Sequence, residues 1–245
     1  MSETISYLQG GKLGDFIHSL CVCKYNWELT GKKANVYITN AGDEFENGVE
    51  FTYNDLKPIL EKQEWLNTFN IYKGENIDID LNSFRSSPHI YQTNWLEVYF
   101  KTFLNISTPP KEYKWIHLDK DDSLNNLVLV SRSLKPMSTA LTNFYEDLLY
   151  QHDNCAFICF DERQYDNFTL KNKCPLLKVD NLYDFFLKIN SCKLLISNQS
   201  GPAAWATSMN VSRIVDLYIQ VDNMHYIKDT EYYSNFRYFI GDVFR

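Results

Sequence analysis

The chain has 245 residues, 44% of them hydrophobic and 16% aromatic, enough apolar material for one large domain or two small ones. Only 22% of residues are charged, which excludes an intrinsically disordered chain. The formal net charge of -7 argues against a surface that grips nucleic acid in general, while leaving room for a local basic cleft.

Six cysteines, Cys21, Cys23, Cys155, Cys159, Cys174 and Cys192, form no Cys-x-x-Cys pair and no Cys/His spacing of a zinc site. Several lie in or beside apolar runs, where a reduced thiol packs as a small hydrophobe. Met1 to Leu8 is too short and polar for a signal peptide, and no apolar run approaches membrane-spanning length. An intracellular, cytoplasmic protein without a transmembrane segment is expected.

Ile5 to Leu8 reads as the first strand, followed by Gln9-Gly10-Gly11-Lys12-Leu13-Gly14-Asp15. Phe16, Ile17, Leu20 and Cys21 then carry helical spacing that ends near Gly31. The Gly-rich turn fits neither a P-loop nor G-x-G-x-x-G, but its glycines let a ligand approach the backbone. Asp15 opens the helix, where a carboxylate also complements the helix dipole. Asn35 to Thr39 is expected as a strand, Thr52 to Gln63 as a helix limited or kinked by Pro58, and Phe69 to Tyr72 as a strand.

Asp78-x-Asp80 has two readings. Paired carboxylates can hold a divalent cation, but a strand alternating Ile and Asp gives the same letters, and the strand is preferred. Arg85, just beyond, can bind a phosphate or acidic acceptor bidentately or form a surface salt bridge. Thr93 to Leu104 is an amphipathic helix with Trp95, Tyr99 and Phe103 facing the core, and Trp115 to Leu118 a short strand. The polar stretch Asp119 to Asn126 marks the domain boundary.

After it the pattern restarts. Leu127 to Val130 is a strand ending in Ser131-Arg132-Ser133, where a guanidinium can neutralise phosphate or simply occupy a turn. A helix over Leu141 to Gln151, strands over Ala156 to Phe160 and Leu176 to Val179, and a helix over Leu182 to Ile189 follow. Leu194-Leu195-Ile196 is a short apolar run suited to a strand buried on both faces. It leads through Ser197, Asn198, Gln199, Ser200, Gly201 and Pro202 into an Ala-rich helix to Met209, with Ser200 as N-cap. Ile214, Val215 and Leu217 form the next strand, with Asp216 at its end. A strand, a Ser/Gly turn and a helix N-terminus make an anion site, or an ordinary βαβ joint. The alternation of strands and helices predicts a doubly wound parallel sheet.

Gly14-Asp15 and Ser200-Gly201-Pro202 together resemble the two signatures of heptosyltransferase-like glycosyltransferases of family 9. That family carries Asp-Ser-Gly-Pro-x-His at the second signature. Gln199 stands here in place of the Asp and Ala204 in place of the His, and the Asn198-Gln199-Ser200 form is similar to a shorter branch of the superfamily.

The resemblance implies a GT-B-like α/β fold, two Rossmann-like parallel-sheet domains facing a cleft. Residues 1–123 would form the acceptor side and 124–225 the nucleotide-sugar side, with an aromatic tail, 226–245, packing back on the first; a homodimer contact is the rival account of that tail. The implied activity is metal-independent, inverting transfer of a sugar from a nucleotide-diphosphate donor, with no obligatory cofactor. Asp15 would be the catalytic base. Gly11, Lys12, Ser131, Arg132, Val179, Asn198, Gln199, Ser200, Gly201, Pro202 and Asp216 would bind the donor, Val179 near the base and Asp216 at the ribose. Arg85 would serve the acceptor, a glycan, lipid-linked or other hydroxyl compound; nucleic acid is disfavoured by the charge but not excluded. Two alternatives stay open: a nucleotide or nucleotide-sugar binding protein without turnover, and a metal-dependent transferase of the GT-A type using Asp78 and Asp80.

Overall fold

The structure, a computed structural model, describes residues 3–40, 45, 47–90, 93–134, 147–217 and 224–240. The chain divides into two units, Met1–Leu118 and Asp119–Arg245.

The first unit is built on four parallel strands in the order β3-β2-β1-β4: β1 (Thr4–Gln9), β2 (Lys33–Ile38), β3 (Leu66–Ile71) and β4 (Ile79–Asp80). Between β1 and β2 runs α1 (Leu13–Thr30), which stops at Gly31 because that residue adopts a left-handed conformation, φ 70°, and returns its N–H to the Trp27 carbonyl. The second helix, α2 (Val49–Leu60), begins three residues earlier than expected and carries Pro58 inside it. The Ile/Asp alternation yields only the two residues of β4; Asp80 then caps a 3₁₀ helix, Leu81–Ser86. The amphipathic segment forms α3 (Trp95–Tyr99) and continues as a π-helical stretch, Phe100–Leu104, ended by Asn105 at φ 55°.

Trp115 to Leu118, expected as a strand, joins no sheet. Side chains occupy the places that a strand neighbour would take. The Gln63 carboxamide donates to the His117 carbonyl at 3.0 Å and accepts from the His117 N–H at 2.9 Å. The Trp65 indole donates to the Trp115 carbonyl at 3.0 Å, and the Trp115 indole donates to the Ile17 carbonyl on α1 at 2.8 Å. The Trp115 carbonyl and both backbone groups of His117 are thereby satisfied without a ladder.

The second unit holds six parallel strands in the order β10-β9-β8-β5-β6-β7. They are β5 (Val128–Ser131), β6 (Cys155–Ile158), β7 (Leu176–Leu177), β8 (Leu194–Asn198), β9 (Arg213–Leu217) and β10 (Phe236–Ile240). The apolar runs at Val128 to Val130 and Leu195-Ile196 are buried, as expected of strands covered on both faces. Residues 147–150 are helical (α4); the rest of the helix expected over Leu141 to Gln151 lies mostly outside the described residues. Three more helices follow: α5 (Glu162–Asp166), α6 (Leu182–Ser191) and α7 (Gly201–Ser208).

The aromatic tail supplies an edge of the second sheet. Its described part packs within the second unit, through a 3₁₀ helix, Met224–Glu231, and through β10, which pairs along the whole of β9. Arg213, fully buried at the start of β9, explains why. Its guanidinium lies 3.5 Å from the Asp229 carboxylate and stacks over Tyr233 and Phe236 at 4.6 and 4.9 Å. A buried cation of this kind requires its partners in place, so the tail is tied to its own sheet. Residues 241–245 lie outside the described residues.

Gly10, where β1 meets the Gly-rich turn, tests the first unit. A Cβ there would sit 2.6 Å from the Thr39 carbonyl oxygen, a backbone atom that cannot swing away. Gly10→Ala is expected to cost about 1–3 kcal/mol in equilibrium urea unfolding; an unchanged midpoint would contradict this close packing.

Candidate functional site

Because every strand of the second sheet runs parallel, the C-terminal ends of β5, β8 and β9 lie along one edge, where ligands of open α/β sheets bind. The register pairs Ser131 with Ser197 and Asn198 with Asp216. That alignment gathers Ser131, Arg132, Asn198, Gln199, Ser200, Gly201, Pro202 and Asp216 at one edge of one sheet.

Arg132 and Asp216 form an ion pair with Nη2 and Oδ2 2.9 Å apart. β8 lies between their two strands, so the bridge crosses the end of β8. The Asp216 side chain is only 2% exposed. Its other oxygen, Oδ1, is buried without a hydrogen-bond partner among the described residues. Burial pushes the carboxyl up to about 6, with the Arg132 charge pulling the other way. The open carboxylate expected to meet ribose hydroxyls is thus turned inward onto Arg132.

Asn198 grips the same turn from beneath. Its Oδ1 accepts the Ser133 N–H at 3.1 Å, and its Nδ2 donates to the Ser133 hydroxyl at 3.0 Å. Ser200 stands at the N-cap of α7 as expected, but its side chain does not cap. The hydroxyl donates instead to the Asn198 carbonyl at 3.1 Å and lies 3.3 Å from the Ser197 hydroxyl. The positive end of α7 is left without a side-chain cap, which suits an anion. A Cβ built on Gly201 would meet nothing within 4 Å, so packing does not demand glycine there and the space beside its backbone is open.

Val179 is not brought to this cluster. It follows β7, which β6 separates from β5. The segment after it serves α6: the Asn181 carboxamide oxygen accepts the Asp184 N–H at 2.9 Å, and the Asp184 carboxylate accepts the Asp180 N–H at 3.0 Å.

In the first unit the Gly-rich turn carries a second group. Gly11 is buried at φ 88°, and Lys12 is the N-cap of α1 without a side-chain cap. Asp15 lies in the first turn of α1, its Oδ2 3.0 Å from Nη2 of Arg85. The Arg85 guanidinium rests 4.6 Å over the Phe84 ring. Tyr99, read from the sequence only as core, donates its hydroxyl to the Asp15 carbonyl at 3.0 Å and pins that turn.

Asp78 and Asp80, the carboxylate pair of the sequence, each accept hydrogen bonds from the first unit's backbone. Asp78 Oδ2 accepts the Ser6 N–H at 2.8 Å. Asp80 Oδ1 accepts the Asn82 N–H and carboxamide at 2.9 and 2.8 Å, and Asn82 Oδ1 accepts the Gly10 N–H at 2.8 Å. Both carboxylates cap backbone, and the second braces the Gly-rich turn through Asn82.

Asp216 gives a signed pH test. Its folded value of about 6 lies above that of an unfolded Asp near 4. Its contribution to stability is therefore whole below about pH 4 and is lost as the pH rises through about 6. Asp216→Asn removes that loss. The stability of the variant relative to the parent should rise, by up to about 3 kcal/mol between pH 4 and 7, read from urea midpoints. A constant difference over that range would contradict a buried, titrating carboxylate.

No protein-family model matches the sequence, and no curated protein matches it. Solved structures do. The E. coli heptosyltransferase WaaC with ADP aligns at TM-score 0.64 and 10% identity over 97% of this chain and 93% of that one. The E. coli ADP-heptose lps heptosyltransferase II aligns at 0.62 and 11% identity over 96% and 90%. The family 9 glycosyl transferase from Veillonella parvula aligns at 0.59 and 10% identity over 97% and 85%. Two parallel sheets with their helices, matched over nearly the whole chain, give this protein the GT-B-like α/β fold of the heptosyltransferase-like glycosyltransferases of family 9.

Proposed function

We propose that this chain is a glycosyltransferase that moves a sugar from a nucleoside-diphosphate donor to an acceptor hydroxyl. The observation that carries the reading is the edge of the second sheet, where Arg132 and the side-chain-uncapped N-terminus of α7 put fixed positive charge at neighbouring strand ends. Its fold neighbours add weight: E. coli WaaC is described with ADP and with ADP-2-deoxy-2-fluoro heptose.

In this reading the diphosphate lies against Gly201 and the start of α7. As the bond from the sugar carbon to the phosphate oxygen breaks, negative charge grows on the departing diphosphate. Arg132 and the helix end stabilise it, supplying what a divalent metal supplies in other transferases. Asp15 accepts the proton of the acceptor hydroxyl as that oxygen attacks. Arg85 holds the Asp15 carboxylate, and Tyr99 the turn that carries it. Attack opposite the leaving group inverts the sugar carbon. A glycan or lipid-linked hydroxyl compound is the proposed acceptor class.

One observation favours a second reading, nucleotide binding without turnover. Ala204, where the family pattern has His, is fully buried within α7, so no imidazole is available from that position.

Thermal-shift titration with nucleoside diphosphates and their sugars, ADP first, decides whether the site is occupied at all. A ligand at 100 times its Kd stabilises the fold by about 2.7 kcal/mol. With a donor so identified, Asp15→Asn should keep binding and lower transfer by about 10²–10⁴-fold. Binding by the parent with no transfer or donor hydrolysis supports the second reading; no nucleotide binding overturns both.

A further inference from the structure

We infer that Asp216 and Asn198 are positioning residues that hold the Ser131-Arg132-Ser133 turn for the donor diphosphate, and that Asp216 touches no ligand itself. The inference rests on the donor reading above and departs from the ribose contact that the sequence suggested for Asp216.

Three geometric facts lead to it. The Asp216 carboxylate is shut in, 2% exposed, with one oxygen on Arg132 at 2.9 Å. Asn198 uses both ends of its carboxamide on Ser133, at 3.1 and 3.0 Å. The register places Asn198 beside Asp216 on adjacent strands, so the turn after β5 is gripped twice, by its side chain and by its backbone. An arginine left alone is long and loses much rotamer freedom when a ligand fixes it. Here that ordering is made in advance, because a buried carboxylate is tolerated only with its cation in place. The arrangement is therefore a preorganised donor of hydrogen bonds rather than a ligand contact added to a loose loop.

Among the described residues the surroundings of Asp216 are simple. From the β5 turn it faces Arg132; β8 presents Ser197 and Asn198, which do not titrate; α7 has no ionisable residue. The other ionic pair of β9, Arg213 with Asp229, sits at the strand's opposite end. Protonating Asp216 thus removes the carboxylate charge that holds Arg132, and burial already moves that event up to about 6.

The test has two arms on the full chain. In the first, amide hydrogen exchange resolved by residue follows 131–134 without ligand. Asp216→Asn and Asn198→Ala should each speed exchange there about tenfold or more, with α1 unchanged and circular dichroism confirming a folded chain. In the second, ADP affinity is measured from about pH 5 to 8. The parent should bind progressively less well below about pH 6. Asp216→Asn should bind about tenfold or more weakly at neutral pH and lose the step near pH 6. Asp216→Asn combined with Arg132→Lys should be little worse than either alone. Unchanged exchange at 131–134, or ADP binding by Asp216→Asn with the parent's affinity and pH profile, overturns the inference. Absence of ADP binding by the parent at every pH overturns instead the donor reading on which the role of the turn depends; rapid exchange in the variants would then report the hold alone.

Discussion

A carboxylate taken out of water needs a cation, and the second half of this protein is arranged around that requirement. Asp216, the penultimate residue of β9, is 2% exposed, and Arg132, from the far side of β8, answers it at 2.9 Å. A single bridge thus ties β9 to the turn after β5 across the strand between them. Asn198, at the end of that middle strand, fastens the same turn by its backbone. The parallel sheet makes this possible by bringing three strand ends to one edge. The start of α7 emerges from the middle one.

The first half answers a comparable problem with a relay of hydrogen bonds and an ion pair. The Gly-rich turn has little side chain of its own to hold it, so Asp80 fixes Asn82 and Asn82 fixes the Gly10 N–H. Tyr99 and Arg85 complete the frame by fastening the backbone and the carboxylate of Asp15. In both units a small, flexible turn at a strand end is made rigid by polar side chains from distant positions. That is the property a binding or catalytic constellation needs from its scaffold.

Much of the fold was legible in short stretches of sequence. The apolar runs at Val128 to Val130 and Leu195-Ile196 became buried strand segments, Gly31 became a helix stop in the left-handed conformation, and Ser200-Gly201-Pro202 opened α7. Each of those depends on neighbours within a few residues. What escaped depends on topology. Arg132 and Asp216 are 84 positions apart and Asp15 and Arg85 are 70 apart, so their pairing follows from strand order and is invisible along the chain. Trp115 to Leu118 has the letters of a strand, but Gln63 and the Trp65 indole take backbone hydrogen bonds that a neighbouring strand would make. Ser200 has the letters of a side-chain cap, but the Asn198 carbonyl competes for its hydroxyl. That Asp78 and Asp80 accept the Ser6 and Asn82 N–H groups likewise follows from the fold rather than from the Asp-x-Asp spacing. The aromatic tail signalled that it docks; only the buried Arg213 says where.

The claim most open to direct test is that a nucleoside diphosphate lies against the turn after β5 and the start of α7. Titration of uniformly ¹⁵N-labelled protein with ADP, followed by backbone amide shifts, maps the contact residue by residue. The account predicts the largest, saturable changes at the amides of Arg132, Ser133, Gly201 and Ala203. Saturable changes confined to other parts of the chain, or none at all, would contradict it.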